Sequence, residues 1–248
     1  MSKETKKWWE YASEDYQERS KIPIDIHYGP GAPNEEELKL LGKLRGKKIL
    51  EIGCGGAQCG ISMAKKGAKV TGIDISNEQL KFAKKLAEKN KVNLTFYQGD
   101  IVNLKKIKSN SQDLVFTAWA LHYVDNLEKC FKEVHRVLKK NGIFVFSTPH
   151  PFYDTIDYKT FKIKRSYFDN GKFEEVFLDK SRKFVFYNHT FSDIINAVIN
   201  SKLKIEKVIE PDSRKKYKGD PWYGIWDFTK EMMKKFPPTI IIKSRKLK

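Results

Sequence analysis

The chain has 248 residues, of which 40% are hydrophobic and 13% aromatic, enough for one decorated α/β domain or two small domains. No apolar run approaches the roughly 20 residues of a membrane span, and the charged N-terminus does not resemble a signal peptide. We therefore expect a cytoplasmic protein without a membrane span. Cys54, Cys59 and Cys130 lack paired spacing, which predicts neither a disulfide framework nor a metal site.

The net charge of +17 raises the question of a nucleic-acid partner. Only seven of the 48 basic residues are Arg, although specific nucleic-acid sites favour the planar guanidinium group. Most lysines fall on the outer faces of predicted helices. A solvated basic surface is therefore favoured over an RNA-binding groove.

Strand and helix patterns alternate from residue 47 to residue 150, which is typical of a parallel sheet with crossover helices. Short apolar runs predict the strands, and helical periodicity with capping residues predicts the helices between them. The predicted strands cover residues 47–53, 68–75, 93–101, 112–120 and 142–150, and the helices include one that begins after Ser76 and one over 127–140.

The alternation stops in residues 151–189, which are rich in aromatic residues. Asn170-Gly171 there predicts a two-residue hairpin turn. A helix over 190–201 and strands at 204–211 and 237–246 follow. We therefore predict a doubly wound, Rossmann-like α/β fold with a mainly parallel seven-stranded sheet, helices on both faces and an antiparallel insertion after the fifth strand. Residues 1–45 are predicted to form a helical or lid segment, and residues 46–248 the main domain.

The glycine-rich stretch "ILEIGCGGAQCG", residues 49–60, follows the first predicted strand and suits a ligand that approaches the backbone. A Walker phosphate loop would need a Lys after Gly60, where Ile61 stands. A dinucleotide turn starting at Gly53 would need a third glycine at Gln58. A turn for S-adenosylmethionine, in which an acidic residue precedes the glycines, fits Glu51, Gly53 and Gly55.

Two further carboxylates support this third interpretation. Asp74 ends the second predicted strand, where a carboxylate can accept both ribose hydroxyls. Asp100 follows Gly99 at the end of the third strand, where it can take the adenine amino group while Ile101 packs against the ring. In order and spacing, residues 47–150 resemble a class I S-adenosylmethionine-dependent methyltransferase of the small-molecule type that includes the quinone-biosynthesis C-methyltransferases.

This resemblance implies S-adenosylmethionine as cofactor, S-adenosylhomocysteine as product, and a set of cofactor contacts. Glu51 would orient the ammonium group, the two turn glycines would carry the methionine portion, and Asp74 would hold the ribose. A Tyr on an N-terminal helix covers the cofactor in similar enzymes, which assigns that role to Tyr11. The remaining implied contacts are Ile75, Asp100, Ile101, Thr117 and Ala118.

Candidate catalytic and acceptor-binding residues follow the strand ends, where α/β sites form. His122 and His150 are the candidate bases if the acceptor must lose a proton. Aromatic residues suit a planar or apolar small acceptor and could also stack a splayed base. The candidates for acceptor binding are Trp119, Tyr123, Phe152, Tyr153, Trp222 and Trp226.

Three functions stay open on the sequence: a small-molecule methyltransferase, an RNA methyltransferase that docks through its basic surface, and a non-catalytic binder of the cofactor. The first is favoured. Residues 151–189 are expected to cover the acceptor pocket, with Phe152 and Tyr153 facing inward; the competing interpretation makes them a dimer interface. The chain is expected to be a monomer or a homodimer.

Overall fold

A computed structural model describes residues 1, 3–157, 160–176, 183–212, 214 and 230–247. Its strands are β1 Lys48–Ile52, β2 Lys69–Asp74, β3 Thr95–Gln98, β4 Gln112–Ala118, β5 Leu138–Pro149, β6 Gly171–Val176, β7 Lys183–Asn188, β8 Leu203–Ile209 and β9 Thr239–Lys246. Its α-helices are α1 Lys3–Ser20, α2 Glu35–Leu38, α3 Gln58–Lys65, α4 Asn77–Lys89, α5 Leu127–Val137, α6 Phe191–Asn200 and α7 Lys230–Lys235.

Seven strands form one sheet in the order β3-β2-β1-β4-β5-β9-β8. The first five pair in parallel, and β9 runs antiparallel to both β5 and β8. The strand order reverses between β1 and β4, and ligands of doubly wound folds bind at the carboxyl ends of the strands at such a point. The predicted fold class, with its mainly parallel sheet, is confirmed.

Apolar layers cover both faces of the sheet because successive side chains of a strand point to opposite sides. Phe144 and Phe146 of β5 face the layer that contains α5 and α6. Ile143 and Val145 of the same strand face the layer that contains α3 and the segment from Ile26 to Leu44. Among the described residues, none of the helices combines the length and the hydropathy that a membrane span needs.

Two local predictions are wrong. Helix α5 ends at Val137, not near residue 140, and the chain enters β5 at once because Leu138 already pairs with Gln112 of β4. Asn170-Gly171 does not form the hairpin turn: Gly171 begins β6 and pairs with Asn188, so the connection from β6 to β7 lies in residues 177–182, outside the described residues. Phe173 stacks on Phe186 across this pair, with ring centroids 5.7 Å apart, and this cross-strand packing supports the observed register.

Candidate active site

The glycine turn after β1 lies directly against the loop after β4. Gly53 and Gly55 have φ of 63° and 50°, a conformation that glycine adopts without the strain of a side chain. A Cβ on Gly53 would overlap the side chain of Ala120. The two loops at the switch point therefore leave room for backbone only, and they form the floor of a cleft.

Glu51 stands at the base of this turn as a buried acid. Its Oε2 has no hydrogen-bond partner among the described residues, and a Cβ on Gly60 would overlap that oxygen. Burial raises the pKa of Glu51 to about 8, with a smaller upward push from Asp74, against the stabilising backbone N–H of Gly60. An unpaired buried acid of this kind favours a cationic group beside it.

Asp74, the last residue of β2, faces the same cleft. Its Oδ2 accepts a hydrogen bond from the backbone N–H of Gly55 over 2.8 Å, and its Oδ1 accepts one from Ser76 over 2.9 Å. Burial raises the pKa of Asp74 to about 6, although these backbone donors oppose the rise. Each carboxylate oxygen has a second lone pair, so the group can still accept hydrogen bonds from a ligand.

The cleft opens into a chamber of about 290 Å³, close to the lower end of the range for small-molecule sites. Seven of the ten residues predicted to contact the cofactor line the chamber wall. They are Glu51, Gly53, Gly55, Asp74, Ile75, Ile101 and Ala118.

The other three predicted contacts, Asp100, Thr117 and Tyr11, do not line the chamber. Asp100 does not line the chamber and forms an ion pair, 2.7 Å long, with the amino group of Met1. Thr117 is fully buried behind the wall, with Oγ1 unpartnered among the described residues. Tyr11 is 52% exposed on the outer side of α1, whereas Trp9 and Tyr16 of that helix reach the chamber.

Helix α1 closes one side of the chamber through a chain of glutamine amides, which sequence analysis missed. Gln58 of α3 donates from Nε2 to Oε1 of Gln17, and Gln17 donates from Nε2 to Oε1 of Gln79 in α4 over 2.8 Å. Glu10 of α1 also accepts hydrogen bonds from the backbone N–H groups of Asn77 and Glu78 at the start of α4. The sequence could not predict this chain of hydrogen bonds, because the three glutamines belong to no local motif.

The opposite end of the chamber is aromatic. Trp119, Tyr123 and Tyr153, which are among the predicted acceptor-binding residues, line it. The Trp119 and Tyr153 ring centroids lie 6.1 Å apart in an edge-on arrangement. The indole Nε1 of Trp119 donates to Oγ1 of Thr239 over 3.1 Å. A Cβ on Gly29 would overlap this indole, so the N-terminal segment also fixes it.

Besides the predicted Tyr153, further residues of the insertion complete this aromatic end. Phe184 and Phe186 of β7 line the chamber, together with Lys164. Phe152 instead points outward: it is 47% exposed and stacks on Tyr167, with ring centroids 4.6 Å apart. Its predicted inward orientation is therefore wrong. Trp222 and Trp226 lie outside the described residues.

The two candidate bases differ in position. His122 lines the chamber beside Tyr123, with ring centroids 3.9 Å apart, and its buried Nδ1 has no hydrogen-bond partner in the described part of the chain. Burial, helped by nearby His189, lowers the pKa of His122 to about 3, so its imidazole is neutral at physiological pH. The His122 ring therefore borders the aromatic end, with Nδ1 buried in the wall.

His150 does not reach the chamber. Its Nε2 hydrogen-bonds Oε1 of Glu210 over 2.8 Å, and its Nδ1 accepts from the backbone N–H of Phe152 over 3.2 Å. It borders a separate small cavity with His189. With both nitrogens engaged away from the chamber, its predicted role as a base is not supported by its position.

The chamber fits S-adenosylmethionine. The orphaned oxygen of Glu51 suits the cofactor's ammonium group, the side-chain-free turn leaves room for its methionine portion, and Asp74 retains acceptors for the ribose. Among the described residues, no group of three His, Cys, Asp or Glu side chains is placed to hold a metal ion.

Comparison with known families agrees with this geometry. The model of the methyltransferase-domain family matches residues 43–177, more than half of the chain. The chain belongs to this family. It is an S-adenosylmethionine-dependent methyltransferase, an enzyme that uses S-adenosylmethionine as its cofactor.

Relatives and solved structures extend the similarity beyond the matched segment. An uncharacterized protein of Haemophilus influenzae is 28% identical over 85% of both chains. The ubiquinone biosynthesis O-methyltransferase of Actinobacillus pleuropneumoniae is 34% identical over 42% of this chain, and the match spans 47% of that enzyme.

The S-adenosylmethionine-dependent methyltransferase of Mesorhizobium loti is similar in structure, with a TM-score of 0.69 and 27% identity over 84% of this chain and 94% of that one. Geranyl diphosphate C-methyltransferase of Streptomyces coelicolor, solved with S-adenosylhomocysteine, has a TM-score of 0.61 at 15% identity over 86% of this chain and 77% of that one, and shares the fold.

Proposed function

We propose that this methyltransferase acts on a small, planar or apolar acceptor held at the aromatic end of the chamber. The observation that carries the proposal is the continuity of one chamber from the glycine turn to Trp119, Tyr153 and Phe186. Aromatic walls favour flat, apolar molecules. The O-methyltransferase relative acts in ubiquinone biosynthesis, and this supports an acceptor of the same physical class.

When bound, S-adenosylmethionine supplies a methyl group that its positively charged sulfur has already activated. The chain's own residues then have to hold the acceptor and exclude water. Glu51 and Asp74 hold the cofactor end, and α1 closes over it through Gln17. The aromatic side chains orient the acceptor.

We propose that His122 is the base that accepts the proton that a hydroxyl or amine acceptor must lose. The His122 ring borders the chamber and is a neutral imidazole, so its unprotonated ring nitrogen can accept a hydrogen bond and then the proton. His122→Asn removes the base at similar volume and should lower kcat by about 10²–10⁴-fold. His135→Asn, on α5 and away from the chamber, is the matched control.

The acceptor class is tested with S-adenosylmethionine that carries a labelled methyl group. Purified enzyme is incubated with a cell extract separated into small-molecule, RNA and protein pools. We expect label in the small-molecule pool, and loss of that label with His122→Asn while the affinity for S-adenosylhomocysteine is kept. Label that enters the RNA pool instead would contradict the proposal and favour the RNA methyltransferase alternative.

A further inference from the structure

A patch of aromatic rings, two of them exposed and one half-buried, lies on the insertion. Phe152, Tyr167 and Phe168 are in ring contact, with centroids 4.6 Å apart for the first pair and 5.5 Å for the second. Phe168 is 80% exposed, and so is Ile163, five residues earlier in the same loop. We call Phe152, Ile163, Tyr167 and Phe168 the Phe168 patch. Such projecting apolar side chains are costly in water unless a partner covers them.

The patch rests on an ordered base. Phe152 stacks on His150, which is held by Glu210, and the hydroxyl of Tyr167 accepts a hydrogen bond from the backbone N–H of Phe191 at the start of α6. Lys164 is fixed by a backbone hydrogen bond to Thr155. The exposed apolar side chains are therefore carried by a loop that is held against the domain by these contacts.

Basic residues stand close to Ile163 and Phe168 in the sequence. Residues 160–169 contain Lys162, Lys164 and Arg165 against the single acid Asp169, a net charge of +2. Lys162 and Lys164 are exposed, and Arg165 packs over the ring of Phe173, with its guanidinium carbon 4.3 Å from the centroid. Cations beside singly projecting apolar residues are typical of surfaces that dock on anionic lipid.

We propose that the Phe168 patch is a docking surface for an anionic lipid membrane. A bilayer surface accommodates both the inserted apolar side chains and the lysines, which remain at the headgroups. A protein partner fits less well because the cores of protein interfaces are depleted in Lys. The net charge of +17 on the whole chain adds long-range attraction to the same surface.

The patch adjoins the acceptor end of the chamber. Tyr153 follows Phe152 directly and lines the chamber, and Lys164 follows Ile163 and lines it too. Docking would therefore bring this end of the chamber close to the lipid, from which an apolar acceptor could enter. This consequence rests on the proposed function, whereas the docking does not.

Co-sedimentation with vesicles tests the proposal. The full chain is mixed with vesicles of phosphatidylcholine alone, or of equal parts phosphatidylcholine and phosphatidylglycerol, at physiological salt. We expect binding to the anionic vesicles, and a drop of about ten-fold or more in the partition coefficient when Ile163→Ser and Phe168→Ser are combined, because two apolar side chains lose their burial. Lys162→Glu should also weaken binding.

Matched controls separate the patch from general charge and from misfolding. Ile199→Ser removes an apolar side chain that is 56% exposed on α6 and should leave vesicle binding unchanged. Lys85→Glu changes an exposed charge on α4 and should weaken binding much less than Lys162→Glu does. S-adenosylhomocysteine affinity reports the fold of every variant. Three results would overturn the proposal: no binding to anionic vesicles, equal binding by the patch variant, or a dimer in light scattering that the patch variant converts to a monomer. Acceptor labelling is scored separately, so either proposal can fail alone.

Discussion

Gln58 of α3 donates a hydrogen bond from Nε2 to Oε1 of Gln17 in α1, over 2.7 Å, and both side chains are buried. The bond passes over Gly56, where a Cβ would come within 2.8 Å of either amide. Helix α1 can therefore close over the cofactor end because Gly56 has no side chain and because Gln17 and Gln58 form a hydrogen bond above it.

Gln17→Leu should open this closure. The substitution removes two hydrogen bonds and leaves the amides of Gln58 and Gln79 without their partner, at a net cost of about 0.5–1.5 kcal/mol per bond. Since about 1.4 kcal/mol is ten-fold in affinity, we expect S-adenosylhomocysteine to bind about ten-fold more weakly in calorimetry. Glu14→Ala, on the exposed side of α1, is the control. Equal dissociation constants for the two variants would refute the role of the glutamine chain.

Cofactor affinity should rise with pH through the range set by Glu51. In the free enzyme, burial raises the pKa of Glu51 to about 8 and that of Asp74 to about 6, so Glu51 is largely protonated at pH 7. A cationic cofactor favours the ionised carboxylate, and binding should release a proton. Calorimetry at pH 7 in buffers of different ionisation enthalpy measures this release. Glu51→Gln should bind more weakly at pH 8 and release fewer protons.

The same raised pKa has a consequence for the stability of the free enzyme. A folded-state pKa above the unfolded value means that the contribution of Glu51 is fully present below about pH 4.5 and is lost as the pH rises through about 8. Glu51→Gln should therefore raise the Tm of the free enzyme relative to wild type at pH 8.5, by about 2 °C or more for each kcal/mol gained. A Tm difference that does not grow between pH 5 and pH 8.5 would show that Glu51 is ionised throughout.

Gly60→Ala tests the space around Glu51. An Ala in helix α3 would ordinarily stabilise the helix by up to about 1 kcal/mol relative to Gly, but here its Cβ overlaps Oε2 of Glu51. We expect Gly60→Ala to lower both Tm and cofactor affinity. In a Glu51→Ala background this overlap is gone and only the close contacts of the new Cβ with Leu94 and Val70 remain, so the same substitution should cost less than it does in the wild-type chain. Additive effects of the two changes in a double-mutant cycle would argue against direct contact.

Asp74→Ala should weaken cofactor binding by ten-fold or more. The carboxylate offers charged acceptors to the ribose and also receives the N–H groups of Gly55 and Ser76, and hydrogen bonds to a charged group contribute about 1.5–3 kcal/mol each. Asp74→Asn keeps one acceptor oxygen and should fall between wild type and Asp74→Ala. A dissociation constant for S-adenosylhomocysteine that stays at the wild-type value would make Asp74 purely structural.

Local sequence predicted the cofactor end of the site because its geometry is local. Glu51, Gly53 and Gly55 stand in one strand-to-turn segment, and Asp74 ends the neighbouring strand, so spacing alone places them together. Lys246 shows the limit of such reasoning. It ends the last predicted strand, where nothing in the sequence distinguishes it from the other lysines, but it is buried and donates to Asn110 Oδ1 and to the carbonyl oxygens of His135 and Leu138.

Residues that depend on packing between distant elements could not be predicted. Tyr11 and Tyr16 are both on α1, and five residues turn a helix by about 140° beyond one full revolution, so only one of them can face the chamber. Helical periodicity does not show which of the two tyrosines faces the chamber. Phe184 and Phe186 reach the chamber only because the β6–β7 pair folds back toward α1 and the loop after β4. The outward orientation of Phe152 also depends on packing that periodicity does not show, because its ring stacks on Tyr167, which is distant from it in the sequence.

The position of β9 within the sheet sets an order for folding during synthesis. Strands β1 to β5 can pair as they leave the ribosome, since each meets a neighbour already made. β8 cannot: its neighbour in the sheet is β9, which emerges some thirty residues later and must slide in between β5 and β8. Until then β5 keeps an open edge, and the apolar side of α6 has only part of its cover. A nascent chain stalled before residue 239 should thus present this edge to chaperones, which makes the interval between β8 and β9 the vulnerable stage of biogenesis.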